Sequence, residues 1–270
     1  MKVAIDFGIT NTDVIIDRGS HEFHSMASNS LLNGEEEVLS ETFKTLKITD
    51  SIERIFVTGG KSASLPSRYK DTEVTKVAEI DAIAAGAKQL FDLNQNALIV
   101  SAGTGTACVW LNESKCTHLG GIAVGGGTFE GLGKLLTGNA NGLELNEFGA
   151  KGNRRKIDLL INDVVTELGS LPGDITAVNF GNTKEHGLDT MENVSASLGN
   201  MIGEIIGTTA ALYAHILQLQ DVYFVGRTAN LSLIREGINS RLMLSSLKGH
   251  FHENGGYANA LGALNFNSSL

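Results

Sequence analysis

Two turns rich in glycine and threonine carry residue types that bind phosphate groups. The first turn follows Asp6 and contains Gly8, Thr10 and Asn11. The second turn consists of Gly103, Thr104, Gly105 and Thr106. Glycine lets the backbone approach a ligand closely, and backbone N–H groups and hydroxyls are donors to phosphate oxygens. Asp6, at the end of a predicted strand, is a candidate ligand for the Mg²⁺ ion that such phosphates carry.

Either turn taken alone also fits an ordinary polar hairpin, because short glycine motifs often occur by chance. The two positions together are more informative. Each half of the chain opens with a strand, a Gly/Thr turn and a second strand, and each half has a later apolar strand ending in glycine, at Gly59 and Gly226. Neither turn fits a P-loop or a dinucleotide-binding fingerprint. The repeat therefore predicts two duplicated halves with a nucleotide-binding cleft between them, since ligand sites favour domain interfaces.

Three further places offer groups for a nucleotide and its reaction. The run Gly125-Gly126-Gly127-Thr128 precedes a predicted helix, whose N-terminal N–H groups would attract an anion. Gly226 would leave a flat surface for adenine or ribose. Glu79 and Asp81 begin another predicted helix, where a carboxylate could accept the proton of an alcohol during phosphoryl transfer. The alternatives are close helix packing, a plain strand end, and acids that favour a first helical turn through the helix dipole.

Hydrophobic patterns place these residues on a mixed α/β framework. Strands are predicted over residues 2–8, 11–17, 21–26, 54–60, 73–77, 97–101, 107–111 and 222–226. Helices are predicted over 34–49, 79–93, 131–136, 193–219, 231–241 and 257–264. The domain boundary is expected near Gln95, which gives an N-terminal domain 1–95 and a C-terminal domain 96–270. A glycine stripe at Gly199, Gly203 and Gly207 predicts close helix packing, either inside the fold or at a dimer seam.

Composition narrows the class of protein further. The chain has 270 residues, of which 42% are hydrophobic, and a net charge of −9. An acidic chain is a poor candidate for nucleic-acid binding, which needs a basic stripe. The two cysteines, Cys108 and Cys116, form neither a metal spacing nor a disulfide framework, so a reducing, cytoplasmic setting is expected. We expect no membrane segment, since the longest uncharged apolar tract contains Thr, His and Gln.

Taken together, these motifs resemble the type II pantothenate kinases, a family within the superfamily of acetate and sugar kinases, heat-shock chaperones and actin. The resemblance covers nearly the whole chain. The most specific segment is Pro172-Gly173-Asp174-Ile175-Thr176-Ala177, continued by Asn179-Phe180-Gly181. It also includes the motifs around Asp6, Gly59, Glu79, Gly103, Gly121 and Gly125, and Glu253-Asn254-Gly255-Gly256 near the C-terminus.

The resemblance implies two ribonuclease-H-like domains with ATP and Mg²⁺ between them, usually in a homodimer, and phosphorylation of pantothenate on the route to coenzyme A. It implies that Glu79 is the catalytic base and that Thr104 contacts the substrate. Asp6, Gly8 and Thr10 would handle phosphate and metal. The nucleotide side would be lined by Gly121, Gly125, Gly126, Gly127 and Thr128, with Gly226 near the adenosine. Coenzyme A or an acyl-coenzyme A would be a further small-molecule partner.

Two residues depart from the family pattern. The substrate-binding arginine of the family falls where this chain has His118. Arginine offers a permanently charged, two-pronged grip on a carboxylate, whereas neutral histidine offers one donor. Bacterial members can carry lysine at the place of Asp13, where an acid would repel a triphosphate unless it binds metal or points away.

Three functional hypotheses follow from these residues. The first is a pantothenate kinase. The second is a kinase for a related small polar alcohol without a carboxylate, motivated by His118. The third is a non-catalytic sensor of nucleotide or acyl-coenzyme A, since scaffolds can outlive their chemistry; the presence of Glu79 argues against it.

Overall fold

The chain folds into strands and helices of mixed order, which confirms the predicted α/β class. The computed structural model describes residues 1–28, 35–94, 96–113, 115–165, 172–186 and 189–266. Within these ranges the strands are β1 (Lys2–Phe7), β2 (Asn11–Asp17), β3 (His21–Ala27), β4 (Arg54–Thr58), β5 (Arg68–Tyr69), β6 (Thr72–Lys76), β7 (Ala97–Ala102), β8 (Thr106–Asn112), β9 (Lys115–Ile122), β10 (Leu159–Leu160), β11 (Thr176–Val178), β12 (Asp221–Val225) and β13 (Lys248–Phe251). The helices are α1 (Glu35–Thr45), α2 (Glu79–Phe91), α3 (Gly126–Thr137), α4 (Gly142–Gly149), α5 (Ile161–Val164), α6 (Thr183–His186), α7 (Met191–Leu217), α8 (Ser232–Leu244) and α9 (Ala258–Leu264).

Two larger sheets organise these elements. One has the strand order β3-β2-β1-β4-β6-β5 and the other the order β13-β12-β7-β8-β9. In the first sheet β1 pairs antiparallel with β2, whereas β1, β4 and β6 run parallel. The carboxyl ends of these three parallel strands therefore meet at one edge, which is where α/β proteins usually place their ligands.

β1 is apolar along most of its length because both faces of its sheet are covered. Val3 and Ile5 belong to a core cluster with Leu39 and Phe43 of α1. Ala4, on the opposite face, belongs to a cluster with Leu261 of α9. A strand buried on both faces is expected to read as a continuous apolar run, as β1 does.

The chain forms two compact units. One comprises Met1–Ile99, Val109–Leu119 and His252–Leu270, and the other comprises Val100–Cys108 and Gly120–Phe251. The domain boundary predicted near Gln95 stays a prediction, as does the assignment of the closing helix to the C-terminal domain. By contacts, α9 lies in the first unit, since it packs on α2 and β1.

The contact between α2 and α9 depends on two glycines. A Cβ atom at Gly86 would lie 1.8 Å from the carbonyl oxygen of Ala258. A Cβ atom at Gly262 would lie 1.9 Å from the carbonyl oxygen of Ala82. The backbones of the two helices therefore approach more closely than any side chain allows. Because α2 begins at Glu79, this packing also determines where Glu79 lies.

The glycine stripe of α7 packs inside its own unit, against α8. Added Cβ atoms at Gly199, Gly203 and Gly207 would lie 2.6 Å from Leu233 Cβ, 2.2 Å from the Ile234 carbonyl oxygen and 2.8 Å from the Ile238 carbonyl oxygen, respectively. Of the two predicted alternatives, internal packing is therefore the one the structure contains. Among the described residues, α7 included, no helix is both long and apolar enough to cross a bilayer.

Some elements were missed or misplaced by the sequence patterns. β9, α4 and β13 were not predicted, and α3 begins at Gly126 rather than near Gly131. On β13, His250 is half-buried, where its Nε2 lies 2.6 Å from Asp221 Oδ1 and its ring stacks on Tyr223. β9 and β13 each contain glycine, which weakens a strand pattern.

Candidate active site

The turn between β1 and β2 is held by a residue that the sequence did not single out, Ser28. Ser28 Oγ donates to the carbonyl oxygen of Gly8 over 2.7 Å, and Ser28 N donates to the carbonyl oxygen of Thr10 over 2.9 Å. A Cβ atom at Gly8 would lie 2.6 Å from the carbonyl oxygen of Asn11, so only glycine fits there. The turn predicted to bind phosphate is therefore a tight loop whose carbonyl groups are fixed from one side.

Asp6 lies at the end of β1, beside the glycine turn that follows β4. In the sheet register it pairs with Thr58 on β4. Gly59 has a φ of +87°, and a Cβ atom there would lie 2.4 Å from Asp6 Oδ1. Any side chain at position 59 would therefore strain the backbone and displace the Asp6 carboxylate.

Asp13 lies directly opposite Asp6 on β2. Opposite residues of an antiparallel pair project to the same face, and like charges placed so are destabilising. Asp13 is also only 5% exposed. A divalent cation beside the two carboxylates would relieve this repulsion, so the pair fits Mg²⁺ in ligand type and charge. The described residues contain no cluster of three metal-ligating side chains, so such an ion would complete its coordination with phosphate and water oxygens.

Glu79 follows the third parallel strand of the same edge. It is the first residue of α2, is exposed, and comes shortly after β6. Two strand spacings separate β1 from β6, so the Asp6 and Glu79 positions lie on the order of 10 Å apart at this edge. The nearby cation Lys76 is directed elsewhere, because its Nζ donates to the carbonyl oxygen of Ala63 over 2.8 Å. The strand order thus brings together two acids that are 73 positions apart in the sequence.

His118 lies on β9 and is exposed. Cys116, two positions earlier on the same face of the strand, is half-buried. The pKa of Cys116 is raised first by burial and then by the charge of Asp81, while Lys88 lowers it, so this part of β9 lies within electrostatic range of α2. The predicted contact of His118 with the acceptor stays a prediction.

The second Gly/Thr turn, between β7 and β8, is closed by a backbone hydrogen bond and is bonded to its surroundings through a threonine hydroxyl. Gly103 N donates to the carbonyl oxygen of Gly105 over 2.8 Å within the turn. Thr106 Oγ1 donates to the carbonyl oxygen of Val124 over 2.8 Å. Thr104 lies between the hydrogen-bonded residues Gly103 and Thr106 and is half-buried.

The glycine run before α3 forms part of this scaffold. Gly126 N and Gly127 N donate to the carbonyl oxygens of Gly103 and Thr104, at 2.8 and 2.9 Å. A Cβ atom at Gly125 would lie 2.8 Å from the same two oxygens. These two amides are therefore engaged by the turn and are not the free helix N–H groups that the sequence argument expected. Contacts between the run and a nucleotide stay predictions.

Thr128, Gly121 and Gly226 also have structural roles here. Thr128 Oγ1 donates to the carbonyl oxygen of Ala123 over 3.2 Å rather than capping α3. A Cβ atom at Gly121 would lie 2.4 Å from the carbonyl oxygen of Thr106. Gly226 has a φ of +90°, and a Cβ atom there would lie 2.2 Å from the carbonyl oxygen of Ala102. Gly121 and Gly226 therefore exclude larger residues without any ligand, and the nucleotide contacts predicted for all three residues stay predictions.

The segment 172–181 forms a polar network with buried acids. The backbone N–H of Phe180 donates to Asp158 Oδ1 over 3.0 Å. Asn179 Nδ2 donates to Glu204 Oε2 over 3.0 Å, and Arg241 Nη2 lies 2.9 Å from Glu204 Oε1. Burial raises the pKa of Asp158, while bonds from Ser197 and Phe180 oppose this shift. The segment is therefore bonded within its own unit, to Asp158 and to Glu204 of α7, and the Asn179 side chain has a structural role there.

Comparison with known proteins identifies the family. Residues 96–265 match the family model named Fumble. A curated type II pantothenate kinase of Staphylococcus haemolyticus is 30% identical over 276 residues, covering 99% of this chain and 100% of the relative. The chain belongs to the type II pantothenate kinase family.

The fold of this family member is also similar to solved structures of other proteins. One is the activator of the 2-hydroxyisocaproyl-CoA dehydratase from Clostridium difficile with bound ADPNP, with a TM-score of 0.67 at 15% identity over 97% of this chain and 92% of that one. Another is a ROK family glucokinase from Streptomyces griseus in complex with glucose and AMPPNP, with a TM-score of 0.61 at 13% identity over 98% of both chains. At this identity the likeness concerns the fold alone, and it agrees with the predicted α/β fold of two duplicated domains.

Proposed function

We propose that this protein is an ATP-dependent kinase that phosphorylates pantothenate to 4′-phosphopantothenate in coenzyme A biosynthesis. The observation that carries the proposal is the edge of the first sheet, where Asp6 lies at the end of β1 and Glu79 follows the parallel strand β6. The relatives named type II pantothenate kinase along the full length of the chain support the acceptor. The neighbours with ADPNP or AMPPNP support ATP as the donor.

In this proposal Glu79 is the general base. Its carboxylate accepts the proton of the primary hydroxyl of pantothenate while that oxygen attacks the γ-phosphorus and the bond to ADP breaks. A base must reach the proton it removes, and the exposed position of Glu79 at the start of α2 allows a bound alcohol to approach. The first turn, through Gly8, Thr10 and Asn11, holds the phosphates.

Mg²⁺ would be held beside Asp6, with Asp13 opposite, and would supply positive charge to the phosphate oxygens. With its charge balanced by this ion, the Asp13 carboxylate would not repel the triphosphate. Around the second turn, Gly103, Gly105 and Thr106 would contact phosphate and Thr104 the acceptor. Gly121, Gly125, Gly126, Gly127 and Thr128 would line the nucleotide, with Gly226 beside the adenosine.

His118 would meet the carboxylate end of pantothenate. A neutral imidazole offers one N–H, whereas an arginine offers a fixed pair of donors and a permanent charge. We therefore expect weaker discrimination between pantothenate and its neutral alcohol analogue than arginine would give. This leaves a related polar alcohol as the second candidate acceptor, and one experiment separates the two.

The protein is incubated with Mg·ATP and either pantothenate or pantothenyl alcohol, which differ only at the carboxylate, and the products are identified by mass. Pantothenate is expected to be phosphorylated. His118→Arg should lower KM for pantothenate by about tenfold, as one charge-assisted bond pair would, and leave KM for the alcohol unchanged. Phosphorylation of the alcohol alone would favour the second candidate. An unchanged KM for pantothenate in the variant would remove His118 from acceptor recognition.

The proposal extends to the assembly and setting of the enzyme. We expect a homodimer in the cytoplasm, with coenzyme A or an acyl-coenzyme A as a further ligand. Light scattering during size-exclusion chromatography tests the dimer, and isothermal titration with coenzyme A tests the ligand. A monomeric mass, or no detectable binding of coenzyme A, would contradict the respective part.

A further inference from the structure

The hydroxyl of Thr228 is bonded directly to the second Gly/Thr turn. Thr228 follows β12 and begins a short 3₁₀ turn, Thr228–Asn230. It is only 5% exposed, and its Oγ1 donates to the carbonyl oxygen of Gly103 over 2.7 Å. The same oxygen accepts the N–H of Gly126 over 2.8 Å. A carbonyl oxygen has two lone pairs, so these two donors complete its hydrogen bonding.

The surroundings leave Thr228 little freedom. A Cβ atom at Gly126 would lie 2.5 Å from Thr228 Oγ1, so the hydroxyl occupies the space that this glycine leaves. The backbone that follows β12 packs on the end of β7, because Gly226 lies so close to the carbonyl oxygen of Ala102 that a Cβ atom would not fit between them. The end of β12, the end of β7 and the start of α3 therefore meet at the Gly103 carbonyl group.

The turn depends on such outside bonds for its orientation. Gly103 N donates to the carbonyl oxygen of Gly105, which closes the turn but does not direct it. Thr104 lies between these residues, and the bonds to the carbonyl oxygens of Gly103 and Thr104 together set the direction of its side chain. We propose that Thr228 is a positioning residue, which holds the turn in the orientation that phosphate and acceptor require. This inference rests on the proposed kinase function.

The test compares three variants. Thr228→Val keeps the shape of the side chain and removes the hydroxyl, whereas Thr228→Ser keeps the hydroxyl. Thr42→Val is the matched control, because Thr42 is also 5% exposed and its Oγ1 donates to the carbonyl oxygen of Val38 over 2.8 Å, within α1. For each variant we would measure kcat and KM for ATP and pantothenate, the dissociation constant of Mg·ATP, and the thermal unfolding midpoint.

Thr228→Val is expected to lower kcat by at least about tenfold, since small displacements of positioning groups slow the reacting step strongly. Thr228→Ser should have a kcat within about threefold of the wild-type value. Thr42→Val should leave kcat unchanged but lower the thermal unfolding midpoint as much as Thr228→Val does. A merely structural role predicts equal kcat for all folded variants. That result would overturn the proposal.

The positioning role of Thr228 and the proposed kinase function can be disproved separately. If the wild-type protein phosphorylates pantothenate and Thr228→Val does so equally well, only the positioning role is wrong. If the wild type has no kinase activity but binds Mg·ATP, the proposed acceptor chemistry is wrong, and weaker nucleotide binding by Thr228→Val than by Thr42→Val still supports the role of Thr228. In that case, equal Mg·ATP binding by Thr228→Val and Thr42→Val would overturn the positioning role of Thr228. The absence of nucleotide binding by the wild type would overturn it as well.

Discussion

Substitution of Gly262 by alanine would separate two helices and move the proposed base without touching it. The added Cβ atom would lie 1.9 Å from the carbonyl oxygen of Ala82, whereas such a carbon and oxygen rest at about 3.3 Å. The helices α9 and α2 must therefore move apart by roughly 1.4 Å at this point. Glu79 begins α2, one turn before Ala82, and moves with it.

Two effects of different size follow. Overpacking of this kind costs about 1–3 kcal/mol in the free energy of unfolding, which lowers the melting midpoint by roughly 3–10 °C. A displacement of about 1 Å at a catalytic group lowers the rate by up to about 100-fold. We therefore expect Gly262→Ala to lower kcat by about 10- to 100-fold per folded molecule, with little change in KM for ATP.

The assay is steady-state kinetics at a temperature well below the lower melting midpoint, with the folded fraction measured by circular dichroism. Gly131→Ala is the matched control, because a Cβ atom at this position of α3 would meet none of the described atoms within 4 Å. Alanine inside an exposed helix stabilises it by about 0.5–1 kcal/mol, so this variant should melt no lower than the wild type. Wild-type kcat in folded Gly262→Ala would refute the reasoning that α9 sets the position of Glu79.

Two further predictions concern the first unit and the thiols. Gly59→Ala should lower kcat with Mg·ATP more than about tenfold, because alanine there would combine a left-handed φ with a clash against Asp6. Gly60→Ala is the control, since a Cβ atom at that position meets open space, and it should keep the wild-type kcat. Equal kinetics of the two variants would contradict this prediction. Burial raises the pKa of the Cys108 thiol from 9.0 to about 11. The fraction of reactive thiolate near pH 8 is therefore about 100-fold smaller than in the unfolded chain, and this fraction becomes large only as the pH approaches 11. Peptide mapping after maleimide treatment should therefore show Cys116 modified before Cys108 in the native protein and both modified in urea; early modification of Cys108 in the native protein would contradict its burial.

The order of the main elements could be predicted because their residues follow clear periods. The apolar run of β1, the Ala-rich α2 and the long α7 carry strong local signals. The two Gly/Thr turns were found for the same reason, since each lies between recognisable strands. Glu79 was recognisable as the start of a helix, but its distance from Asp6 was not, because that depends on the order β1-β4-β6 within the sheet.

The residues that the sequence did not reveal act through contacts between distant segments. Ser28 and Thr228 fix the two turns through single hydroxyl bonds, and a lone serine or threonine carries no local pattern. The glycine run before α3 was read as an anion site because free helix N–H groups are the common case. Its amides instead bond to the turn at Gly103, which only the tertiary structure shows. β9 was missed because its two glycines interrupt the strand pattern around His118.

The most direct test of the central claim is the identity and yield of the product in the wild type and in Glu79→Gln. Asp81→Asn is the control, since it removes one charge from the same first turn of α2. We expect the wild type and Asp81→Asn to form 4′-phosphopantothenate and ADP in equal amounts. We expect Glu79→Gln to lose about 100-fold or more in kcat, with unchanged Mg·ATP affinity. Phosphorylation by Glu79→Gln at the wild-type rate, or release of ADP without any phosphorylated pantothenate, would contradict it.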